Sequence, residues 1–198
     1  MLDKDGFEKL VEKTSNVEGT KRDNWYDKSY EVFKKAAKDA SYDDVEDLIK
    51  LIAYAYSWMP TIPTIKTDIL DAKWPEIKVE LLKLKNQKEC DPKDLIDLLF
   101  PIVNNSIVGI SKVLHFISPK KIPIIDSNVI RGWNKFFDGQ YRISPHIYSN
   151  NQKKTIDEYM NYMENINTWA QNSQVKDIRK IEVLLFNYGA TKDLGVSR

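Results

Sequence analysis

Asp126 stands between an apolar segment and a helix-like pattern, within residues 122–131 (IPIIDSNVIR). Pro123 disfavours helix in the residue before it, and Asp126 can accept hydrogen bonds from the first free amides of a helix that follows. A carboxylate fixed at such a position can also stabilise a developing positive charge or activate a nucleophile. The pattern by itself therefore supports two interpretations of Asp126, a helix N-cap and a catalytic carboxylate.

The residues before Asp126 predict two helices joined by a polar turn. Residues 100–116 (FPIVNNSIVGISKVLHF) contain a short helix end, the turn and a second, apolar helix. The order helix, hairpin, helix, loop, carboxylate, ending in hydrophobic-Pro-hydrophobic-hydrophobic-Asp-x-x-Val-x-Arg, resembles the helix-hairpin-helix DNA glycosylases. Residues 111–127, which begin with SKVLHF and end with IPIIDS, are similar to the small prokaryotic proteins described as 8-oxoguanine-DNA-glycosylase-like. The match extends from Phe100 to Trp133, and residues 178–189 resemble the closing helix of the same group.

This resemblance implies a mostly α, two-lobed helix-hairpin-helix glycosylase-like fold with the active cleft between the lobes. It implies a single domain over residues 1–198, with the hairpin motif and catalytic region at about 94–137. The activity implied is that of an enzyme that flips a damaged or modified base out of double-stranded DNA and cleaves its N-glycosidic bond. Because that step develops positive charge on the sugar, Asp126 would stabilise the sugar cation or activate the nucleophile.

Lys112 is the candidate amine nucleophile, since bifunctional members of the resembled family form a Schiff base between a lysine and the sugar. Alignment of the hairpin, however, places Ser106 where that lysine usually stands, and Lys112 lies more than one turn further along. Two alternatives follow. Either Lys112 replaces the usual lysine from a shifted helix, or there is no amine nucleophile and Asp126 activates water.

The resemblance also indicates which residues would contact DNA. The family's hairpins are usually glycine-rich, whereas this one has two asparagines, which tolerate left-handed turn conformations. The expected DNA-binding residues are Asn104, Asn105, Ser106, Ser111, Lys120, Lys121, Asn128 and Arg131. The expected walls of a pocket for the flipped base are Tyr54, Trp58 and Trp74, with Tyr56 and Met59 as further candidates on the same wall as Trp58. The competing interpretation is that the charges form a solvated face and that the aromatic side chains belong to the core.

Composition is compatible with one helical domain and excludes some other classes. The 198 residues are 42% hydrophobic, with 30 basic and 29 acidic side chains, so a DNA-binding surface must be local. The single cysteine, Cys90, cannot form an internal disulfide, and we expect a cytoplasmic monomer. No apolar run approaches the roughly 20 residues of a membrane span. His115 and His146 do not form a metal-ligand pattern, His115 is expected in the core, and no cofactor is implied.

Helical periodicity dominates the sequence. It predicts helices over residues 23–40, 42–58, 75–84, 92–100, 153–170 and 177–188, in addition to those of the motif, and loops over residues 61–71 and 139–148. Pro75 is expected in the first turn of its helix.

Two questions stay open at the level of sequence. The target could be an oxidised purine in DNA repair or a modified base of phage DNA in defence. The alternative to an enzyme is a non-catalytic helical module that binds DNA or a protein partner, in which Asp126 only caps its helix. An enzyme should bring Asp126 and Lys112 together at the floor of an open cleft.

Overall fold

The computed structural model describes residues 1–15, 24–88, 90–149 and 151–191, and these residues are mostly α-helical. The helices are α1 Lys4–Ser15, α2 Asn24–Asp39, α3 Val45–Tyr56, α4 Thr67–Lys85, α5 Pro92–Leu99, α6 Ile107–Ile117, α7 Ser127–Phe137, α8 Gln152–Asn172 and α9 Ile178–Ala190, with a 3₁₀ turn at Pro145–Tyr148. The described residues contain no β-strand, only an isolated bridge between Ile65 and Val103. The predicted mostly α fold is confirmed.

Several helices begin where an acidic or polar side chain caps the first turn. Asp44, Asp91, Asp126 and Asp177 each accept a hydrogen bond from a backbone amide two residues ahead, at the starts of α3, α5, α7 and α9. Such caps satisfy amides that have no partner within the helix. The predicted helix boundaries near these residues are confirmed to within a few residues, although residue 23 lies outside the described part of the chain.

The prediction for Pro75 was wrong. Pro75 lies inside α4, which already begins at Thr67, so the predicted loop at 61–71 is shorter than expected. An internal proline removes one backbone donor, which leaves the carbonyl of Asp71 without its usual partner. Asp71 and Pro75 are both exposed, so water can bind that carbonyl and the helix continues. Helix α1 was not predicted, because only Gly6 and Leu10 of its residues are buried.

Helix α6 lies at the centre of the fold. Nearly all of its side chains are buried, and it contacts α2, α3, α5 and α8. Buried side chains from the described helices form one continuous hydrophobic core around it. Because α6 is buried on most of its circumference, a charged residue on it needs a specific local reason.

Helices α7 and α9 form the closest helix pair and hold one side of the fold together. Gly132 of α7 and Gly189 of α9 lie at their crossing, where a methyl group on Gly132 would overlap the carbonyl oxygen of Leu185. A methyl group on Gly189 would overlap the carbonyl oxygen of Asn128. The two backbones therefore approach to a distance that only glycine permits at these positions.

We expect Gly132→Ala to lower the free energy of unfolding by about 3 kcal/mol, the upper end of the range for overpacking. In an open helical site the same change would instead stabilise the protein by about 1 kcal/mol. Chemical denaturation measures the difference. The control is Gly139→Ala, where φ is +88° and no atom lies within 4 Å of the added methyl group, so only backbone strain is introduced. A Gly132→Ala variant as stable as the unsubstituted protein would contradict the close crossing.

Candidate functional site

A pocket of about 860 Å³ lies between the end of α3, the first half of α6, the start of α7 and α9. Its lining includes Lys112 from α6, Asp126 and Asn128 at the start of α7, and Arg179 and Glu182 from α9. Trp58, just after α3, forms part of the apolar wall. The structure thus brings the two predicted catalytic residues to the same pocket.

Asp126 caps α7 and faces this pocket at the same time. Its backbone is extended, and its Oδ1 accepts hydrogen bonds from the amides of Asn128 (3.0 Å) and Val129 (2.9 Å). Its Oδ2 has no hydrogen-bond donor among the described residues, and the residue is half-buried. One oxygen therefore fixes the carboxylate, while the other is available to a ligand.

Lys112 is a nearly buried amine without a partner. Its side chain is 5% exposed, lines the pocket and makes no hydrogen bond or ion pair with any described residue. Burial lowers the pKa of Lys112, the negative charge of Asp126 opposes this effect, and the positive charge of Arg179 adds to it. A lowered pKa increases the fraction of the neutral, nucleophilic amine.

The segment that leads to Asp126 is buried and non-helical, so its backbone groups need partners from elsewhere. The amide of Ile124 donates to Oε1 of Glu182, and the amide of Ile125 donates to the hydroxyl of Ser111 (3.3 Å). The hydroxyl groups of Tyr159 and Tyr162 donate to the carbonyl oxygens of Pro123 (2.7 Å) and Ile124 (3.1 Å). Side chains of α6, α8 and α9 therefore set the position of this segment.

Glu182 and Arg179 form a partly buried ion pair that sequence inspection did not assign to the site. Glu182 is fully buried, and its Oε2 accepts a hydrogen bond from Nη1 of Arg179 (3.2 Å). Burial raises the pKa of Glu182 to about 7, although Arg179 acts in the opposite direction. The guanidinium of Arg179 also lies 4.8 Å from the ring centroid of Tyr30 and 6.0 Å from that of Trp58. The signal available in the sequence was a pair of opposite charges three residues apart at the start of a helix that is mostly apolar after Glu182.

His115 is a hydrogen-bonded core residue, as predicted. Its Nδ1 lies 2.7 Å from the carbonyl oxygen of Ile122, and its Nε2 lies 2.9 Å from the hydroxyl of Tyr30. Burial lowers the pKa of His115 to about 3, so the ring is neutral at physiological pH. Because a carbonyl only accepts, Nδ1 carries the proton and the Tyr30 hydroxyl donates to Nε2.

The expected DNA-binding residues separate into three groups. Three of them, Asn104, Ser106 and Asn128, line the pocket. Ser106 also caps α6, because its hydroxyl accepts a hydrogen bond from the amide of Gly109 (3.2 Å). Ser111 is fully buried, with its hydroxyl donating to the carbonyl oxygen of Val108 (3.0 Å). It therefore has no surface with which to contact DNA, and its sequence-based assignment is corrected to that of a core residue that binds the segment before Asp126.

The remaining members of that set are exposed but do not line the pocket. They are Asn105 in the α5–α6 turn, Lys120 and Lys121 beyond the end of α6, and Arg131 on α7. Arg131 donates from Nε to the carbonyl oxygen of Gly189 (3.1 Å), and this bond links α7 to α9. A terminal nitrogen of Arg131 also donates to the side chain of Asn128 on the same helix.

The expected aromatic walls also separate. Trp58 lines the pocket, whereas Tyr54 stacks on Phe33 with ring centroids 4.9 Å apart and an interplanar angle of 2°. Trp74 lies half-buried on α4 and does not line the pocket, so neither Tyr54 nor Trp74 forms its wall. Tyr56 and Met59, two further candidates from the sequence, also line the pocket. The aromatic residues that line it and that the sequence did not single out are Tyr26, Tyr148 and Phe186.

No family model, no curated protein and no solved structure matches this chain. Within the described ranges there is no group of three or more His, Cys, Asp or Glu side chains that could hold a metal ion. None of the described helices is both long and apolar enough to span a membrane. The chemistry of the site must therefore be inferred from its geometry.

We expect Lys112→Met to raise the free energy of unfolding at pH 7 by about 1–4 kcal/mol, by analogy with the gain seen when buried ion pairs are replaced by apolar side chains of similar volume. The pKa of Lys112 is lower in the folded than in the unfolded chain, so the folded state binds fewer protons between the two values. The unsubstituted protein should therefore gain stability as the pH rises through this window, and Lys112→Met should lack that gain. Denaturation across pH measures both effects, with the exposed Lys73→Met as control. If the free energy of unfolding changed with pH equally in the unsubstituted protein and in Lys112→Met, an unpaired, buried Lys112 would be contradicted.

Tyr56→Phe should also stabilise the protein, by about 1 kcal/mol. The Tyr56 hydroxyl is closed off from solvent and makes no hydrogen bond with a described residue, whereas the amine of Lys112, which also has no partner, opens onto the pocket. An unsatisfied buried group costs free energy. The matched variant is Tyr159→Phe, which removes a buried hydroxyl that does donate, to Pro123, and should lower stability by a similar amount. Thermal melts of the two variants measure both changes in stability. A Tyr56→Phe variant less stable than the unsubstituted protein would show that the Tyr56 hydroxyl has a hydrogen-bond partner.

Proposed function

We propose that this protein is a DNA glycosylase that takes a damaged or modified base out of double-stranded DNA and cleaves its N-glycosidic bond. The observation that carries the proposal is the pairing of Lys112, a buried amine without a partner, with Asp126, a rigidly held carboxylate, on the wall of one pocket. An unpaired buried amine is costly to the fold, and a covalent nucleophile is a role that accounts for keeping it.

In this proposal the neutral amine of Lys112 attacks C1′ of the sugar as the bond from C1′ to the base breaks. The base leaves with the bonding electron pair and takes up a proton. Positive charge develops on the sugar during this step, and the free Oδ2 of Asp126 stabilises it electrostatically. The attacking nitrogen then loses a proton, and opening of the sugar ring yields the Schiff base.

The alternative mechanism uses water. Asp126 would then orient and deprotonate a water molecule that attacks C1′, and Lys112 would contribute only positive charge and binding. Both mechanisms need the same carboxylate, and they differ in whether a covalent adduct with Lys112 forms.

The pocket suits one flipped nucleotide. Its volume of about 860 Å³ lies in the range of small-ligand sites, and it combines aromatic walls at Trp58 and Phe186 with polar groups at its base. We further propose that α5, the turn at residues 100–106 and α6 form the helix-hairpin-helix motif of a two-lobed glycosylase-like fold. An oxidised purine and a modified base of phage DNA are the two substrate classes we propose to test, with the protein acting as a monomer.

A non-catalytic helical module that binds DNA or protein is the second candidate. The observation that favours it is the capping role of Asp126, because the hydrogen bonds to Oδ1 alone explain why an aspartate stands at the start of α7. This candidate leaves the burial of an unpaired Lys112 without a purpose.

The test combines two assays. Mass spectrometry detects free bases released from damaged, genomic and heavily modified phage DNA, and borohydride captures a lysine adduct on DNA that contains a natural abasic site. We expect Asp126→Asn to lower base release by at least about 10²-fold while leaving stability nearly unchanged, since asparagine also caps helices. Asp44→Asn is the matched control, because Asp44 caps α3 in the same manner outside the pocket.

For Lys112, we expect Lys112→Met to abolish borohydride capture and Lys73→Met to leave it unchanged. Capture should rise with pH and level off below the range of an ordinary lysine, because burial lowers the pKa of Lys112. Base release without capture would favour activated water. No base release from any of the three DNAs, with no capture at the abasic site, would favour the binding module.

A further inference from the structure

Two basic and two acidic side chains line the pocket, namely Lys112, Arg179, Asp126 and Glu182. Arg179 and Glu182 form an ion pair (3.2 Å), whereas Lys112 forms an ion pair with neither carboxylate. The pocket therefore contains one basic side chain whose charge is neutralised by a direct partner and one whose charge is not.

Arg179 is held in place by contacts on several sides. Its Nη1 donates to Oε2 of Glu182 (3.2 Å), and Oε1 of the same carboxylate accepts from the amide of Ile124. The guanidinium carbon lies 4.8 Å from the ring centroid of Tyr30 and 6.0 Å from that of Trp58. The side chain is only 18% exposed. Its positive charge therefore has a fixed position on the pocket wall.

Tyr30, which lies against the guanidinium of Arg179, is itself held from the interior of the fold. Its hydroxyl donates to Nε2 of His115 (2.9 Å), and Nδ1 of His115 donates to the carbonyl oxygen of Ile122 (2.7 Å). Ile122 begins the buried segment that leads to Asp126. The same interior contacts therefore set the positions of the Arg179 charge and of the Asp126 carboxylate.

Lys112 and Arg179 differ in whether they can lose their charge. A guanidinium stays protonated in proteins, whereas the amine of a buried lysine can release its proton. Because the pocket lining is mostly apolar, two positive charges in it repel each other more strongly than they would in water. Lys112 is therefore the one of the two that becomes neutral.

The pKa of Lys112 agrees with this arrangement. Burial lowers it, the negative charge of Asp126 opposes this effect, and the positive charge of Arg179 adds to it. The other titratable side chains that line the pocket are Glu182 on α9, Tyr26 on α2, Tyr56 on α3 and Tyr148 in the 3₁₀ turn. Burial raises the pKa of Tyr56 and of Tyr148, so both are neutral at physiological pH. Among the described residues that line the pocket, Arg179 is thus the cation that acts on Lys112.

We propose that Arg179 is a positioning residue that acts through Lys112, because its fixed positive charge keeps the amine of Lys112 in the neutral form that can attack a sugar carbon. This inference rests on the proposed function, since it gives Arg179 a role in the step that Lys112 would perform. The simpler interpretation is that Arg179 only neutralises the buried carboxylate of Glu182. The two interpretations differ in what happens to Lys112 when the charge of Arg179 is removed.

The first experiment needs no DNA. A pulse of formaldehyde and cyanoborohydride methylates neutral amines, and peptide mass spectrometry of the full chain gives the extent of labelling of Lys112 at each pH. Labelling of the exposed Lys73 in the same samples corrects for the pH dependence of the reagents. We expect Arg179→Gln to move the midpoint of Lys112 labelling upward by about one pH unit, the size of one charge–charge interaction at a dielectric constant of about 20. Below the midpoint, Lys112 should then be labelled about tenfold more slowly.

Three further variants isolate the charge. Arg179→Lys keeps it and should leave the midpoint within about half a pH unit of the unsubstituted protein. Arg142→Gln removes an exposed arginine that does not line the pocket and should leave the midpoint unchanged. The double variant Arg179→Gln, Glu182→Gln leaves no unpaired carboxylate, so it serves even if Arg179→Gln alone does not fold. Its midpoint should also be raised.

An unchanged or lower midpoint in Arg179→Gln would overturn the proposal. A midpoint in Arg179→Lys as high as in Arg179→Gln would do the same, because the charge would then not be the cause. So would a double variant with the midpoint of the unsubstituted protein, since the rise in the single variant would then come from the unpaired Glu182.

The second experiment repeats the borohydride capture on DNA with a natural abasic site. Arg179→Gln should form the adduct about tenfold more slowly at pH 7 and approach the unsubstituted protein at higher pH, as Lys112 loses its proton. A loss of equal size at every pH would overturn the proposal, because it would indicate a purely structural role. If labelling changes as expected but the unsubstituted protein forms no adduct, the effect of Arg179 on Lys112 stands and the proposed function fails.

Discussion

The site depends on a buried, non-helical segment, residues 122–125. Its first amide, that of Ile122, donates to the carbonyl oxygen of Ser118, and side chains bind most of its other backbone groups. Glu182 accepts from the amide of Ile124, and His115 donates to the carbonyl oxygen of Ile122. Because buried backbone groups without partners are costly, each of these bonds stabilises one particular path of the chain. That path ends at Asp126, so the position of the carboxylate follows from the interior of the fold and not from a surface loop.

Two adjacent residues on α6, Ser111 and Lys112, face different parts of the site. Ser111 is directed to the segment before Asp126 and satisfies the amide of Ile125, whereas Lys112 is directed to the pocket. His115, one turn after Ser111, binds the same segment at its start. Helix α6 therefore holds the amine of Lys112 in a fixed position relative to the carboxylate of Asp126. Burial of the Lys112 side chain without a partner lowers the free energy of unfolding. The hydrogen bonds to residues 122–125 act in the opposite direction and stabilise the fold around the site.

Periodicity predicted the helical class. The resemblance to the helix-hairpin-helix glycosylases, and not the spacing, suggested that Lys112 and Asp126 share a site, and both line one pocket. The sequence could not predict which polar residues on α6 point inward, since Ser111 and Lys112 are adjacent and both interrupt an apolar pattern. The Glu182–Arg179 pair depends on α9 packing against residues more than fifty positions earlier, a relation that periodicity does not contain. Tyr54 and Trp58 likewise satisfy the same pattern, and both contact Phe33. Only the position of Trp58 beyond the end of α3, beside the pocket, separates the pocket residue from the core residue. Pro75 misled the prediction because its missing hydrogen bond falls on an exposed helix face.

The two interpretations of Asp126, helix cap and catalytic carboxylate, are compatible once its two oxygens are considered separately. Oδ1 is occupied by the amides of Asn128 and Val129, and this bonding fixes the plane of the carboxylate. Oδ2 is then held toward the pocket without any need for further contacts, and the cap supplies the rigidity that electrostatic stabilisation of a cation requires. Capping alone would be served equally by serine or asparagine, neither of which carries a charge. The feature that capping leaves unexplained is therefore the negative charge itself, placed across a pocket from a buried amine whose pKa is lowered.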